Sequence, residues 1–218
     1  DLSGSAVDKI LDAIKEQRWY FFKNKPKVLM DKYTGLLWAN LDYFEYKKYK
    51  KCVILRHDID YDLRKSLQIA EIEAENGVKS TFFILLTTDF YNICSKRSIR
   101  VINKIKQCGH DIGLHFDEAK YGIDDSNRDG QKLSELIRRE IGILSDIVKR
   151  DVRVVSMHRP SAGILRLEHE GKLDLGGIVN SYADEFFSGF KYLSDSRMCW
   201  KENVEDIISS EQYDRLHI

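Results

Sequence analysis

From Cys52 onward the sequence changes hydrophobic period again and again, and this cycle limits the folds open to it more than any other feature. "CVILRHD" reads as an apolar strand, residues 62–76 have the spacing of a helix stopped by Gly77, and "KSTFFILL" is a second strand. "SIRVINKIKQCGH" places Ile99, Ile102 and Ile105 on one helix face with Gly109 as its stop, before "HDIGLHF" forms a third strand. A longer helix over 129–149 carries Leu133, Leu136, Ile137, Ile141, Leu144 and Val148, and "VRVVSMHRP" follows as a fourth strand. Weaker strands are legible at "GGIVNSY", "FKYLSDS" and "YDRLHI". Strands joined by helix-length connections pair in parallel, so the spacing predicts an α/β fold with six or seven strands in a barrel or a doubly wound sheet.

In parallel α/β folds, sites form outside the carboxyl ends of the strands. The polar clusters fall there: "RHDID" after the first strand, "HFDE" after the third and "HRPS" after the fourth. Asp58 and Asp60 flank the apolar Ile59, so on extended backbone their carboxylates point the same way, with Cα atoms about 7 Å apart. One can bind a metal while the other stays free. His115 offers an imidazole of the kind that suits zinc or a similar divalent ion, Asp60 a hard oxygen, and His158, which opens the third cluster, could reach the same metal. Asp58 is then the candidate base and Arg159 the guanidinium that holds it.

The competing readings are structural. Asp58 or Asp60 could cap the helix from 62, although Asp62 is better placed for it; His110 begins its strand, at the wrong end for a ligand. Arg159 could be an ordinary ion-pair partner. His57 alternates away from Asp58, as a hydrogen-bonded core histidine would, and His169 lies in the charged stretch "RLEHEGK".

The chain has 218 residues, enough for one substantial core, and a single domain over 1–218 is expected. Lys plus Arg and Asp plus Glu balance at 35 each, without the basic excess that drives nucleic-acid binding or docking on anionic membranes, so a small or neutral substrate fits better. No run approaches the ~18 apolar residues of a spanning helix. Cys52, Cys94, Cys108 and Cys199 are dispersed, with no CxxC pair and no signal-like start, which reads as reduced thiols in a cytoplasmic protein. Residues 5–20 place Val7, Ile10, Leu11 and Ile14 at helical spacing behind Ser5. The aromatic and basic runs "WYFFKNKPK" and "LDYFEYKKYKK" are read as core packing and edge covering rather than as a base-stacking surface.

Through "LRHDID", "STFFIL", "GHDIGLHFDE", "HRPS" and "NSYADEFF…YLSDSRMCW", the chain from about Cys52 to its end resembles the polysaccharide deacetylase family. The resemblance implies a distorted (β/α) barrel of about seven parallel strands over 51–218, with residues 1–50 packed on it as an extension, and a metal-dependent deacetylase site. "RHDID" resembles the family's first motif in a variant spaced by one residue, which makes Asp58 the catalytic base and Asp60 a metal ligand. His115 matches the first histidine of the second motif, while Ala119 stands where the second histidine would be. His158 is the preferred replacement, with Asp117 and Glu118 as rivals. Arg159 and Pro160 match the third motif, and Arg159 is expected to orient Asp58. Asp195 and Trp200 match a motif that lines the acid side of the site. His217 after Leu216 matches the general-acid histidine, with a histidine beyond Ile218 as the alternative.

The implied activity is a hydrolase, a linear-amide amidohydrolase that removes an N-acyl group from an amino sugar or sugar intermediate in surface polysaccharide synthesis. The implied cofactor is a divalent ion, zinc before cobalt or nickel, and the implied partner a small carbohydrate, with no nucleic acid and no membrane insertion. Two alternatives remain: hydrolysis of a non-sugar amide or cyclic imide on the same barrel, and a retired sugar-binding protein, for which Ala119 is the main feature.

Overall fold

A computed structural model describes residues 27–30, 37–40, 42–75, 77–126, 129–194, 200–210 and 212–218. The expected helix over 5–20 and the run at 19–26, as well as Asp195 and Cys199, lie outside them.

The strands are β1 (Lys27–Met30), β2 (Leu37–Asn40), β3 (Lys51–Ile54), β4 (Arg56–Ile59), β5 (Thr81–Leu85), β6 (Asp111–Phe116), β7 (Val154–Met157), β8 (Val179–Asn180), β9 (Lys191–Tyr192) and β10 (Arg215–His217). The helices are α1 (Leu63–Glu75), α2 (Lys96–Gln107), α3 (Gly130–Val148), α4 (Ala162–His169), α5 (Asp184–Ser188) and α6 (Val204–Ser210). One sheet runs β4-β5-β6-β7-β8, all parallel. The other runs β1-β2-β3-β10-β9, parallel except for the β1/β2 pair.

The sheets meet in one extended segment, because β3 leads into β4 through Leu55 alone. The Leu55 carbonyl accepts from the amide of Thr81, and the Ile218 carbonyl accepts from the amide of Arg56. Followed through the ladders, the order is β8-β7-β6-β5, then the shared segment, then β10-β9, which is seven parallel strands. Among the described residues no ladder joins β8 to β9, so the path is barrel-like and open there.

Local chemistry accounts for the helix limits. Asp62 caps α1 through a hydrogen bond from the Arg64 amide to its Oδ1, Ser95 caps α2 and Asp129 caps α3. Gly77 and Gly109, the expected stops, have φ of 72° and 95°, which only glycine adopts at little cost. Helix α3 buries Leu133, Ile137, Ile141, Leu144 and Val148 as its spacing predicts, whereas α2 buries Val101 with Ile102 and Ile105 and leaves Ile99 half-buried.

Alternation along the strands separates two cores. Phe82, Ile84, Ile112, Leu114, Phe116, Val155 and Met157 pack outward against the helices. Phe83, Cys52, Ile54 and Val154 face inward and meet Tyr43, Tyr46, Phe186 and Phe190. Part of the aromatic amino-terminal run therefore does pack in the core. His110 and His57 are structural as expected: His110 bridges the Ser80 amide and the Ala70 carbonyl, and His57 bonds Glu73 on the outward face. No disulfide forms among the described residues, and none of their helices is long and apolar enough to cross a membrane.

Gly113 lies on the inward face of β6, where a Cβ would stand 2.5 Å from the Phe83 ring and 3.1 Å from Val154 Cγ1. Gly142, on the exposed side of α3, has open space around it. Gly113→Ala should therefore lower unfolding stability by about 1–3 kcal/mol through overpacking, and Gly142→Ala should raise it by up to about 1 kcal/mol. Urea unfolding of both variants checks the pair.

Candidate metal centre

Three strand ends bring the site together. Asp60 follows β4, His115 is an inward residue of β6, and His158 follows β7, its amide donating to the Phe116 carbonyl at 2.7 Å. That backbone bond extends the β6/β7 ladder by one step and sets the His158 ring against His115, with centroids 4.9 Å apart and planes at 82°.

The three side chains converge on one point. His115 Nε2 is 3.3 Å from Asp60 Oδ1, His158 Nδ1 is 3.4 Å from the same oxygen, and the two ring nitrogens are 3.1 Å apart. A tetrahedral ion with bonds of 2.0–2.1 Å spaces its ligand atoms about 3.3–3.4 Å apart, so this trio has the dimensions of a ligand set. Asp60 Oδ1 is buried with no hydrogen-bond partner of its own, and the N, N, O donor set suits zinc and its neighbours. Burial pushes the Asp60 carboxyl up, and the imidazoles beside it outweigh that and hold it well below the ordinary carboxylate range. Asp60 in turn raises the pKa of His158.

The rival ligands are engaged elsewhere. Asp117 Oδ1 accepts from the Ala119 amide and caps the 3-10 turn Glu118–Tyr121, while Glu118 accepts from the amide and hydroxyl of Ser161 at the start of α4. Ala119 is exposed on that turn.

Asp58 lies next to the trio, its Oδ1 3.9 Å from His115 Nδ1. Arg56 Nη2 contacts both Asp58 oxygens, at 2.9 and 2.6 Å. The same guanidinium donates to Ser156 and Ser181 and lies 5.2 Å from the ring centres of Phe83 and Tyr182. Burial raises the Asp58 pKa, but the Arg56 charge, with a smaller pull from His115, more than offsets this and leaves the carboxyl below its ordinary value. A carboxylate that favours its ionised form is thus held by Arg56 beside the candidate ligand trio.

Two expectations are corrected. Arg159 was expected to hold Asp58, yet the chain turns after β7 through a left-handed backbone at Arg159 (φ 50°) and its side chain is exposed. Arg56 occupies that role instead; it shares the strand parity of Asp58 and Asp60, and the two-residue alternation that paired the carboxylates would have found it. His217 was expected as the general acid. It is fully buried at the register of Ile54, with Nε2 2.7 Å from the Tyr43 hydroxyl and the rings of Tyr43, Phe186 and Tyr192 around it. Burial pushes its pKa well below the ordinary value, so near neutrality it is not the imidazolium that a general acid for the leaving amine requires. Ile54 precedes Asp58 by four residues, about 13 Å of strand, which leaves His217 well below the mouth. Trp200, expected to line the site, is half-buried against the outer core.

No family model and no curated protein matches the chain. Solved structures similar to it include a peptidoglycan deacetylase from Bacillus subtilis, with 15% identity over 57% of this chain and 57% of that one and a TM-score of 0.41. A Streptococcus pyogenes deacetylase in complex with acetate gives 13% identity over 98% and 80%, with a TM-score of 0.49. A CE4-family pseudoenzyme from Bacillus anthracis gives 13% over 78% and 64%, with a TM-score of 0.43. The chain thus spans little more than half the length of the first of these, and identities and TM-scores this low leave the chemistry to the residues themselves.

Because Asp60 supports the charged form of His158, Asp60→Asn should lower the His158 pKa in metal-free protein. Titration of the imidazole Cε1 proton by NMR reads this directly; an unchanged midpoint would mean that the two side chains are not in contact.

Proposed function

We propose that this protein is a metal-dependent hydrolase that removes an N-acyl group, acetyl in the first instance, from an amino sugar or sugar intermediate of surface polysaccharide synthesis. The observation that carries the reading is the convergence of Asp60, His115 and His158 at ligand spacing with a separate, ionised carboxylate, Asp58, beside them. The resemblance of "RHDID", "GHDIGLH" and "HRPS" to the polysaccharide deacetylase motifs supports the same assignment.

A divalent ion held by Asp60, His115 and His158 would supply a Lewis acid that acidifies water and polarises an acyl carbonyl. Asp58 would have no share in holding it; each of its oxygens accepts from Arg56 and keeps a further lone pair with which to take a proton from the nucleophilic water. Arg56 keeps that carboxylate charged and fixed, so its orientation need not be found anew at each turnover. Nη1 of the guanidinium also donates to Ser181, and Nη2, which holds Asp58, donates to Ser156, so the arginine is anchored on both of its terminal nitrogens. A second reading, a retired sugar-binding protein, rests on Ala119 and requires that His158 fail to replace the missing histidine.

Elemental analysis of the purified protein tests the ligand set. Near-stoichiometric zinc, cobalt or nickel is expected, falling in both His115→Ala and His158→Ala. Asp58→Asn should keep the metal and abolish release of acetate from N-acetylated sugars; a metal-free protein even after reconstitution would favour the retired reading. Removal of the Arg56 charge in Arg56→Met should raise the Asp58 pKa, because the main influence opposing burial is then gone and only the smaller pull of His115 remains. The acid limb of the kcat/KM profile should accordingly move to higher pH while metal content stays constant. A limb that does not move would assign the base elsewhere.

A further inference from the structure

The candidate metal centre lies at the carboxyl ends of the strands, whereas the amino ends of three of them surround a cavity of about 490 Å³. Its wall includes Lys50, Phe190, Lys191, Tyr213, Asp214 and Arg215. Register brings these residues together. Lys50 precedes β3, Lys191 opens β9 and Arg215 opens β10, and the parallel ladders set Arg215 opposite Cys52 and Leu216 opposite Lys191. Cys52 precedes Asp58 by six residues, about 20 Å of extended chain, so this cavity is separate from the candidate centre. Its volume is in the range of small-molecule pockets.

The cations of the wall are not equally engaged. Lys191 Nζ holds both Glu202 oxygens, at 2.6 and 2.8 Å. Arg215 is half-buried beneath the inward aromatic core, 5.6 Å from the Tyr46 ring centre and 5.7 Å from that of Phe190. Its guanidinium forms no ion pair or hydrogen bond with the described residues. Glu185, beside Tyr46, is taken up by Tyr46 Oη at 2.5 Å and Lys47 Nζ at 3.2 Å. Ring faces return part of the hydration that a half-buried guanidinium gives up, but they leave its planar fork of donors without an acceptor. Lys50 is exposed and likewise unpaired among the described residues. Asp214 is the one carboxylate of the wall, and its carbonyl, which accepts from the Cys52 amide at 3.0 Å, pins the backbone there.

We propose that this cavity binds a phosphate monoester, its phosphate held by the Arg215 guanidinium and the Lys50 ammonium, at a site apart from the candidate metal centre. The ligand follows from the charges. A planar guanidinium matches two phosphate oxygens at once, and one that is half-buried meets less competition from water than an exposed lysine does. Two uncompensated cations suit a dianion, whereas the carboxylates of Asp214 and Glu202 disfavour a polyphosphate or a nucleic-acid backbone. The inference stands independently of the sugar-hydrolase reading.

The test is a calorimetric and NMR titration of the full chain at near-physiological salt, as purified and again after chelation. The probes are inorganic phosphate, glucosamine 6-phosphate and uridine monophosphate, with glucosamine and uridine as neutral controls. The phosphorylated compounds should bind about tenfold more tightly than the controls, with shifts at the Tyr213 ring. Arg215→Met should weaken them about tenfold and Lys50→Met about threefold, Arg215→Lys should keep part of the affinity, and Asp214→Asn, which removes the opposing charge, should tighten binding. Lys50 and Asp214 are exposed, so their opposite effects are readable even where Arg215→Met loosens the aromatic core above it. Tyr213→Leu distinguishes the esters: it should weaken the nucleotide, whose base can stack on the ring, and leave the sugar phosphate unaffected. Equal affinity for phosphorylated and neutral compounds, or affinity indifferent to both Arg215→Met and Lys50→Met, would overturn the proposal. So would shifts at His115 and His158 in place of Tyr213, which would put the phosphate at the metal centre. Release of acetate from any sugar, or its absence, changes neither result.

Discussion

Residues Lys51 to Ile59 form one extended segment that changes neighbours at Leu55, and the rest of the molecule is arranged around it. Its first half pairs with β2 and β10 and its second half with β5, so one stretch of backbone belongs to both sheets. Period-two alternation then sorts its side chains. His57 and Ile59 face the helices, where a histidine must be paired and Glu73 pairs it. Arg56, Asp58 and, just past the strand, Asp60 face inward. Three charged groups at successive inward positions would be costly in an apolar barrel, and each is stabilised by a partner: Arg56 and Asp58 by each other, Asp60 by two imidazoles.

That arrangement grades the interior along the strands. At the level of Ile54 lies an aromatic plug of Tyr43, Phe186, Phe190 and Tyr192 around a neutral His217. Higher up, the Arg56 guanidinium sits between the Phe83 and Tyr182 rings and fixes Asp58. At the mouth are the three candidate ligands. Gly113 belongs to the middle layer, where the absence of a side chain makes room for the Phe83 ring. The plug excludes water from one end of the Arg56–Asp58 pair, which strengthens its mutual attraction.

Much of this was legible in the sequence, and the exceptions share a cause. Periodicity found the three longer helices, α1, α2 and α3, and the parallel strands, because burial on one or both faces leaves its mark over several residues, whereas the short helices α4, α5 and α6 are too brief to show a period. Parity found the pairing of Asp58 with Asp60, and strand-end position separated His115 and His158 from His110. What failed depended on how far each strand reaches. Whether His217 meets Asp58 is decided by the register of β10 against β3, which no local pattern records. Arg159 has a suitable place in the sequence for Asp58, but the backbone is left-handed there after β7 and the side chain is exposed, which no residue pattern records. The β1/β2 pair left no clear alternation in an aromatic, basic stretch. Arg56 shares the parity of Asp58, so alternation alone places it beside the carboxylate, whereas the motif resemblance points to Arg159.

The central claim is that Asp60, His115 and His158 form one ligand set. The most direct test is anomalous diffraction at the zinc edge from crystals of the zinc-loaded protein. The account predicts a single strong peak about 2.0–2.2 Å from Asp60 Oδ1, His115 Nε2 and His158 Nδ1, with Asp58 outside the coordination shell. A peak bound elsewhere, or none at full zinc occupancy in solution, would contradict it.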